Sequence, residues 1–234
     1  MLTKGDFHIH STASDGELSP TEIIIAAIER GIETIAITNH NTTNGINEAA
    51  ETGRLHGVSV IPAIELSTRF NHNSIHLLGY FKNILYTDST FEELIKLVKT
   101  HRIKKARNIL RTFITTEPST ESSGDYLSVY EGLHLLRTFG ASVVLAHPMR
   151  INEKILNEIL NIPFDGIEAK YSKTSYNDTS YFINIASTRF SFYTGGSDFH
   201  TNKGKDIMHS LIGEPSLNSS EIKMFLKKSA AILL

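Results

Sequence analysis

Short β-branched, apolar runs alternate along the chain with stretches whose apolar positions recur every three or four residues. Strands are expected near Asp6–His10, Thr34–Thr38, Val58–Ile64, Ile75–Tyr80, Ser142–Ala146, Gly166–Ala169 and Phe192–Gly196. Helices are expected near Thr21–Glu29, Ile46–His56, Phe91–Phe113, Tyr126–Phe139, Glu153–Leu160, Tyr176–Thr188 and Ser220–Lys228. Ser19-Pro20 opens the first helix with a capping hydroxyl and a proline at its first turn. Such alternation is the signature of parallel α/β architecture. The mainly helical region 82–140 is too long for one crossover and is split by the polar, breaker-rich loop Glu117–Gly124. It reads as a helical cap inserted into the α/β unit.

Polar residues change that picture when they are placed on the strand map. His8-Ile9-His10 ends the first strand and Asp198-Phe199-His200 follows the last. In both triplets the polar residues are two apart, so on a strand they share a face while Ile9 and Phe199 point into a packed layer. His40 follows the second strand, Glu65 the third, His76 lies in the fourth, and His147 follows the fifth. In parallel α/β folds ligands and catalytic groups gather at the carboxyl ends of strands. Six of the 11 histidines follow this rule, a preference that scattered structural histidines would not show. His56, His72, His101, His134 and His209 fall elsewhere and are expected to be surface or packing residues.

Composition narrows the chemistry. With 40% apolar and 21% charged residues, the 234-residue chain has the make-up of an ordinary globular protein. A net charge of −2 gives no field that would draw nucleic acid or an anionic membrane non-specifically. There is no cysteine, which excludes disulfides and thiolate metal sites and leaves nitrogen and oxygen as the metal donors. The opening residues Met1–Asp6 carry no basic segment followed by an apolar one, and the most apolar stretch, Ile23–Ile28, is interrupted by Glu29 and Arg30. A cytoplasmic protein is expected.

Read in order, Asp6-Phe7-His8-Ile9-His10-Ser11 with Ser14-Asp15-Gly16, Thr38-Asn39-His40-Asn41, and Pro62-Ala63-Ile64-Glu65-Leu66-Ser67 form a series. Ile75-His76-Leu77-Leu78-Gly79, Leu145-Ala146-His147-Pro148 and Gly195-Gly196-Ser197-Asp198-Phe199-His200 complete it. The series resembles the motifs of the PHP (polymerase and histidinol phosphatase) family of metal-dependent phosphoesterases, over about residues 5–213. The resemblance implies a distorted (β/α)7 barrel, formed here by 1–81 and 141–234 with the cap at 82–140, and a site for two or three divalent ions. Mn, Zn or Fe is expected ahead of Mg. His8, His10, Glu65 and Asp198 would hold the first ion, Asp15, His40 and His200 the second, and Glu65, His76 and His147 the third. One departure stands out: the second motif usually reads Thr-Asp-His, and Asn39 replaces its aspartate. Loss of an acceptor that could orient His40 would weaken the second ion position.

Asp15, Glu65 and Asp198 bring −3 against +6 for three divalent ions, leaving about +3, which suits a hydroxide and a phosphate dianion. The expected reaction is in-line attack on phosphorus by a metal-activated hydroxide, with no covalent intermediate and no side chain standing out as general acid. Arg150 and Lys170 are the candidate phosphate-binding residues, Arg107 a weaker one, and Glu168 a hydrogen-bonding neighbour of the ligands. The Glu-Leu-Ser and Ile-His-Leu-Leu-Gly motifs and the cap resemble the branch that acts on small phosphorylated nucleotides or short RNA. Its members include 3′,5′-nucleoside bisphosphate phosphatases and 5′-3′ exoribonucleases. A histidinol-phosphate phosphatase is the alternative, and a non-catalytic barrel with a binding or structural role, supported by Asn39, is the alternative of another class.

Overall fold

The structure is a computed structural model and describes residues 2–113, 124–202 and 209–234. The polar loop expected at 117–124 lies, except for Gly124, outside the described residues. All seven expected strands are present: β1 (Lys4–Ile9), β2 (Thr34–Ile37), β3 (Ser59–Phe70), β4 (Asn73–Phe81), β5 (Ala141–Leu145), β6 (Gly166–Tyr171) and β7 (Phe192–Gly196). A two-residue β8 (Leu217–Asn218) adds to them, pairing antiparallel with β1. The sheet order is β7-β6-β5-β4-β3-β2-β1-β8. The ends meet where Ile9 bridges Phe199 in parallel and the His10 N–H donates to the Phe199 carbonyl at 2.9 Å. The result is a nearly closed barrel.

The expectation of a parallel sheet needs one correction. β4 runs antiparallel to both β3 and β5, while the remaining pairs of the seven are parallel. Only Asn71 and His72 separate β3 from β4, both with positive φ (45° and 65°), so the chain reverses in a tight hairpin instead of crossing over through a helix. This reversal has a functional consequence. The amino-terminal end of β4 lies beside the carboxyl ends of its neighbours, and the register places His76 opposite Ser67, close to Glu65.

Helices pack outside the barrel: α1 (Pro20–Glu29), α2 (Ile46–His56), α3 (Ser89–Lys99), α4 (Ile103–Leu110), α5 (Val129–Thr138), α6 (Glu153–Ile159), α7 (Tyr176–Arg189) and α8 (Ser219–Ser229). The Ser19 and Ser128 hydroxyls, with Glu22 and Glu131, form capping boxes that start α1 and α5. The single helix expected over 91–113 is broken into α3 and α4, with His101 between them at φ 55°. Ile9 and Phe199 are fully buried with Ile23 and Ile24 of α1, while Phe7, Ala36, Ala63, Leu78, Tyr80 and Val144 form a second packed cluster with Phe225 of α8. No helix among the described residues is long and apolar enough to cross a membrane.

The seam between β1 and β7 depends on close backbone approach. A Cβ on Gly196 would lie 2.4 Å from the His8 nitrogen and 2.5 Å from the His8 Cβ. The buried Asp6 carboxylate fastens the same seam, accepting from the Ser197 N–H at 3.0 Å, the Ser197 hydroxyl at 2.6 Å and the Gly213 N–H at 2.7 Å. Gly196→Ala is therefore expected to cost about 1–3 kcal/mol, read as a shift in urea unfolding with the m-value unchanged. A neutral effect would show that the seam is not closely packed.

Candidate metal centre

Each polar residue of the cluster sits at the same mouth of the barrel. His8 is on β1 with His10 directly after it, His40 follows β2, Glu65 is on β3, His76 near the start of β4, His147 follows β5, and Asp198 and His200 follow β7. Asp15 comes from the loop between β1 and α1. His8 and His10 are fully buried and Glu65 and Asp198 nearly so, whereas Asp15 is half exposed.

Four donor atoms mark the deepest position. His8 Nε2 and His10 Nε2 are 3.2 Å apart, and Glu65 Oε2 lies 3.4 Å and 3.1 Å from them. Asp198 Oδ1 lies 3.2 Å and 3.1 Å from the same two nitrogens. Five of the six separations among these donors are thus 3.1–3.4 Å; a regular tetrahedron with edges of about 3.2 Å has its centre about 2.0 Å from each corner, the bond length of zinc-type ions to imidazole and carboxylate. Asp198 Oδ1 is buried and has no hydrogen-bond partner among the described residues. Such an atom, facing two imidazole nitrogens that face each other, fits a cation.

Glu65 reaches both ways. Its Oε2 also lies 3.2 Å from His40 Nδ1, while its Oε1 is 2.9 Å from His76 Nδ1 and 3.0 Å from His147 Nε2. On the other side Asp15 Oδ2 lies 3.4 Å from His200 Nε2 and 3.7 Å from His40 Nε2, and Asp15 Oδ1 is 3.3 Å from His10 Nδ1. His8, His10, Glu65 and Asp198 form one group, His10, Asp15, His40 and His200 a second, and His40, Glu65 and His76 a third, with His147 adjoining it through Glu65 Oε1. Glu168, at 2.9 Å from His8 Nδ1 and accepting the His147 N–H at 2.8 Å, orients two of these residues and adds a fourth carboxylate. The balance against three divalent ions becomes −4 to +6, about +2.

The electrostatics agree with a cation-hungry site. Burial works against charging His10, yet its contacts with Asp15, Asp198 and Glu65 outweigh it and carry its pKa up to about 10. Burial likewise opposes charge on His8, but Asp198, Glu168 and Glu65 raise it well above the usual imidazole range. Burial would raise Glu65 and Asp198, but the surrounding imidazoles hold both well below the carboxylate range. His40 is pushed down to about 4, chiefly by burial. The buried carboxylates thus draw positive charge toward the imidazoles.

The other candidates separate. Arg150 stands at the mouth, its Nη1 2.9 Å from the Tyr171 hydroxyl and 3.8 Å from Asp198 Oδ2. Lys170 is turned away and ion-paired to Glu221 of α8 at 2.6 Å. A bulge in β6 between Glu168 and Lys170 is the cause: the extra residue reverses the alternation, so Glu168 and Tyr171 reach the cluster and Lys170 does not. Arg107 is held by Glu131, at 2.6 Å, and by the Tyr126 carbonyl, at 2.8 Å. Asn39 does not touch the His40 ring. Its Oδ1 accepts from the Ser11 N–H at 2.8 Å and the Ser14 hydroxyl at 2.9 Å, and its Nδ2 donates to the Ser11 hydroxyl at 2.9 Å and the Asn44 carbonyl at 3.0 Å. It braces the loop that carries Asp15, using donations an aspartate could not make.

Two residues at the cluster were not anticipated. The Tyr171 hydroxyl donates to Asp198 Oδ2 at 2.8 Å. Its place at the carboxyl end of β6 was the available signal. His209 stacks on His200 with ring centroids 4.1 Å apart and puts Nε2 3.5 Å from Asp198 Oδ2. No strand or periodicity in the sequence points to it. Asp198, His200 and His209 thus stand as a further group close enough to hold an ion, although His200 spends Nδ1 on the Asp198 carbonyl at 2.8 Å and turns Nε2 to Asp15.

The family model described as PHP domain matches residues 6–161. A 5′-3′ exoribonuclease of Haemophilus influenzae is 38% identical over 109 residues, which are 47% of this chain and 39% of that protein. A 3′,5′-nucleoside bisphosphate phosphatase of Chromobacterium violaceum is 23% identical across 88% of this chain and 90% of its own. Among solved structures, a Bifidobacterium adolescentis protein described as a candidate metal-dependent phosphoesterase superposes with a TM-score of 0.72 at 20% identity, covering 96% of each chain. That last likeness establishes the fold.

The raised imidazole pKa values give a signed expectation. His10 gains its proton's stabilisation on folding, so this contribution is full below 6.5 and is lost as pH rises through about 10. The metal-free protein is expected to melt at lower temperature at pH 10 than at pH 7, with metal uptake at pH 7 releasing protons. Calorimetry in buffers of different ionisation enthalpy reads the release. Uptake without it would mean that the imidazoles are neutral before the ion arrives.

Proposed function

This chain belongs to the PHP domain family, and on that footing we propose that its cluster hydrolyses a phosphate ester of a nucleotide or short oligonucleotide. The protein is a metal-dependent phosphoester hydrolase, a class carried by the family match and by the buried His/Glu/Asp cluster. The observation that supports the reading most is the convergence of His8, His10, Glu65 and Asp198 donors with a guanidinium, Arg150, beside it. Three ions is the count favoured by the donor sets, with Asp15, His40 and His200 holding the second and Glu65, His76 and His147 the third. Mn, Zn or Fe matches a purely nitrogen and oxygen donor set rich in imidazole.

When bound, divalent ions supply a water of lowered pKa and positive charge for the phosphoryl oxygens. The chain does the rest. Burial of His8, His10 and Glu65 keeps bulk water from the deepest donors, and Glu168 fixes the tautomer and direction of His8. A groove of about 290 Å³, lined by Ser74, His76, His147, Arg150 and Ile151, opens beside the cluster. Arg150 offers guanidinium N–H groups to non-bridging oxygens there, where developing charge needs donors. Segment 82–140 is assigned the role of a cap that sets substrate size. Its helix α3 reaches the loop that carries Asp15, with Lys99 Nζ 3.4 Å from the Ala13 carbonyl. The likeness to proteins named for nucleoside bisphosphates and RNA favours nucleotides over histidinol phosphate. Asn39, the feature that would favour a non-catalytic barrel, is employed in loop bracing. A cytoplasmic location completes the proposal.

The test is a substrate panel with the Mn²⁺-loaded chain: mononucleotides, nucleoside 3′,5′-bisphosphates, short 5′-phosphorylated RNAs and histidinol phosphate. Release of phosphate or nucleotides from the nucleotide members, abolished by chelation, is expected. Turnover confined to histidinol phosphate, or none with any divalent ion, contradicts the proposal.

A further inference from the structure

The two oxygens of Asp198 have different surroundings. Oδ1 faces His8 Nε2 and His10 Nε2 at 3.2 Å and 3.1 Å and takes no hydrogen bond among the described residues. Oδ2 accepts the Tyr171 hydroxyl at 2.8 Å, with His209 Nε2 at 3.5 Å and Arg150 Nη1 at 3.8 Å. The Tyr171 oxygen in turn accepts from Arg150 Nη1 at 2.9 Å. A phenol has one proton, so the direction is fixed: the guanidinium donates to the phenol and the phenol donates to the carboxylate.

Geometry gives Tyr171 little choice of place. The β6 bulge turns it toward the cluster, its side chain is buried, and its ring lies edge-on to His147 with centroids 5.5 Å apart. A carboxylate free at both oxygens can turn to take a cation with both. One that is hydrogen-bonded at Oδ2 keeps Oδ1 aimed where His8 and His10 converge. The Arg150 guanidinium, meanwhile, makes no other hydrogen bond among the described residues, so its remaining N–H groups stay available.

We propose that Tyr171 is a positioning residue that fixes Asp198 as a one-oxygen ligand of the His8–His10–Glu65 position and ties its second oxygen to Arg150. The inference rests on the cluster being a metal site, as proposed above. It makes one network of two functions, since the guanidinium offered to the substrate's phosphoryl group also anchors the hydroxyl that aims a metal ligand.

Tyr171→Phe removes the hydroxyl and keeps the ring. Three measurements are made on wild type and variant: Co²⁺ affinity by competition with a chromophoric chelator, the visible spectrum of the Co²⁺ form, and melting of the metal-free protein. The variant is expected to lose about 10- to 100-fold in affinity, with shifted Co²⁺ bands and a metal-free melting temperature lowered by about a few degrees for the lost hydrogen bond. Affinity within about twofold of wild type with an unchanged spectrum overturns the inference. So does an affinity loss with unshifted Co²⁺ bands, the behaviour of a residue that supports the fold without aiming the ligand. Wild-type protein that takes up no Co²⁺ brings down the metal-site reading and this inference with it.

Discussion

Asp6 and Gly196 hold the two ends of the sheet against each other, and the site exists because they do. The Asp6 carboxylate accepts from two donors of Ser197 and one of Gly213, some two hundred residues away, while the missing side chain of Gly196 lets the backbone of His8 come close. Ile9 and Phe199 then bridge in parallel with their side chains in the packed layer. That bridge sets His8 and His10 on one side and Asp198 and His200 on the other at metal-ligand spacing. Neither triplet has a function alone. Closure of the barrel converts two weak local patterns into one donor set.

Concentrating the donors this way has an electrostatic consequence that also defines the chemistry. Glu65, Asp198 and Glu168 are almost wholly buried, and unpaired buried charges are expensive. Protons on His8 and His10 offset that cost in the metal-free chain, and divalent ions offset it more fully. The same excess of positive charge after loading is what a phosphoryl group needs. Glu65 is central to this exchange because its two oxygens serve different neighbours, His8, His10 and His40 on one side, His76 and His147 on the other.

The strands were legible as short β-branched runs, buried almost continuously, and eight of the nine clustered residues as polar residues in or beside them, whereas Asp15, in the loop after β1, came from the motif resemblance alone. The direction of β4 was not legible, since a two-residue turn at Asn71-His72 carries none of the glycine that usually announces a hairpin. Lys170 was placed at the site, and Tyr171 passed over, for a related reason. One extra residue in β6 inverts the alternation, and a bulge leaves no mark in composition. Asn39 showed as a departure from the motif, but its partners Ser11, Ser14 and Asn44 come from two loops whose packing only the fold reveals. His209 reaches the cluster from a loop with no periodic pattern to read.

The central claim, that barrel closure assembles a polynuclear metal site, is tested most directly by anomalous scattering from crystals grown with Mn²⁺. Peaks among His8, His10, Glu65 and Asp198 and in the adjoining groups around Asp15 and His76 are the predicted result. Density showing the same side chains in contact with one another and no anomalous peak between them, with Mn²⁺ in excess, would contradict it.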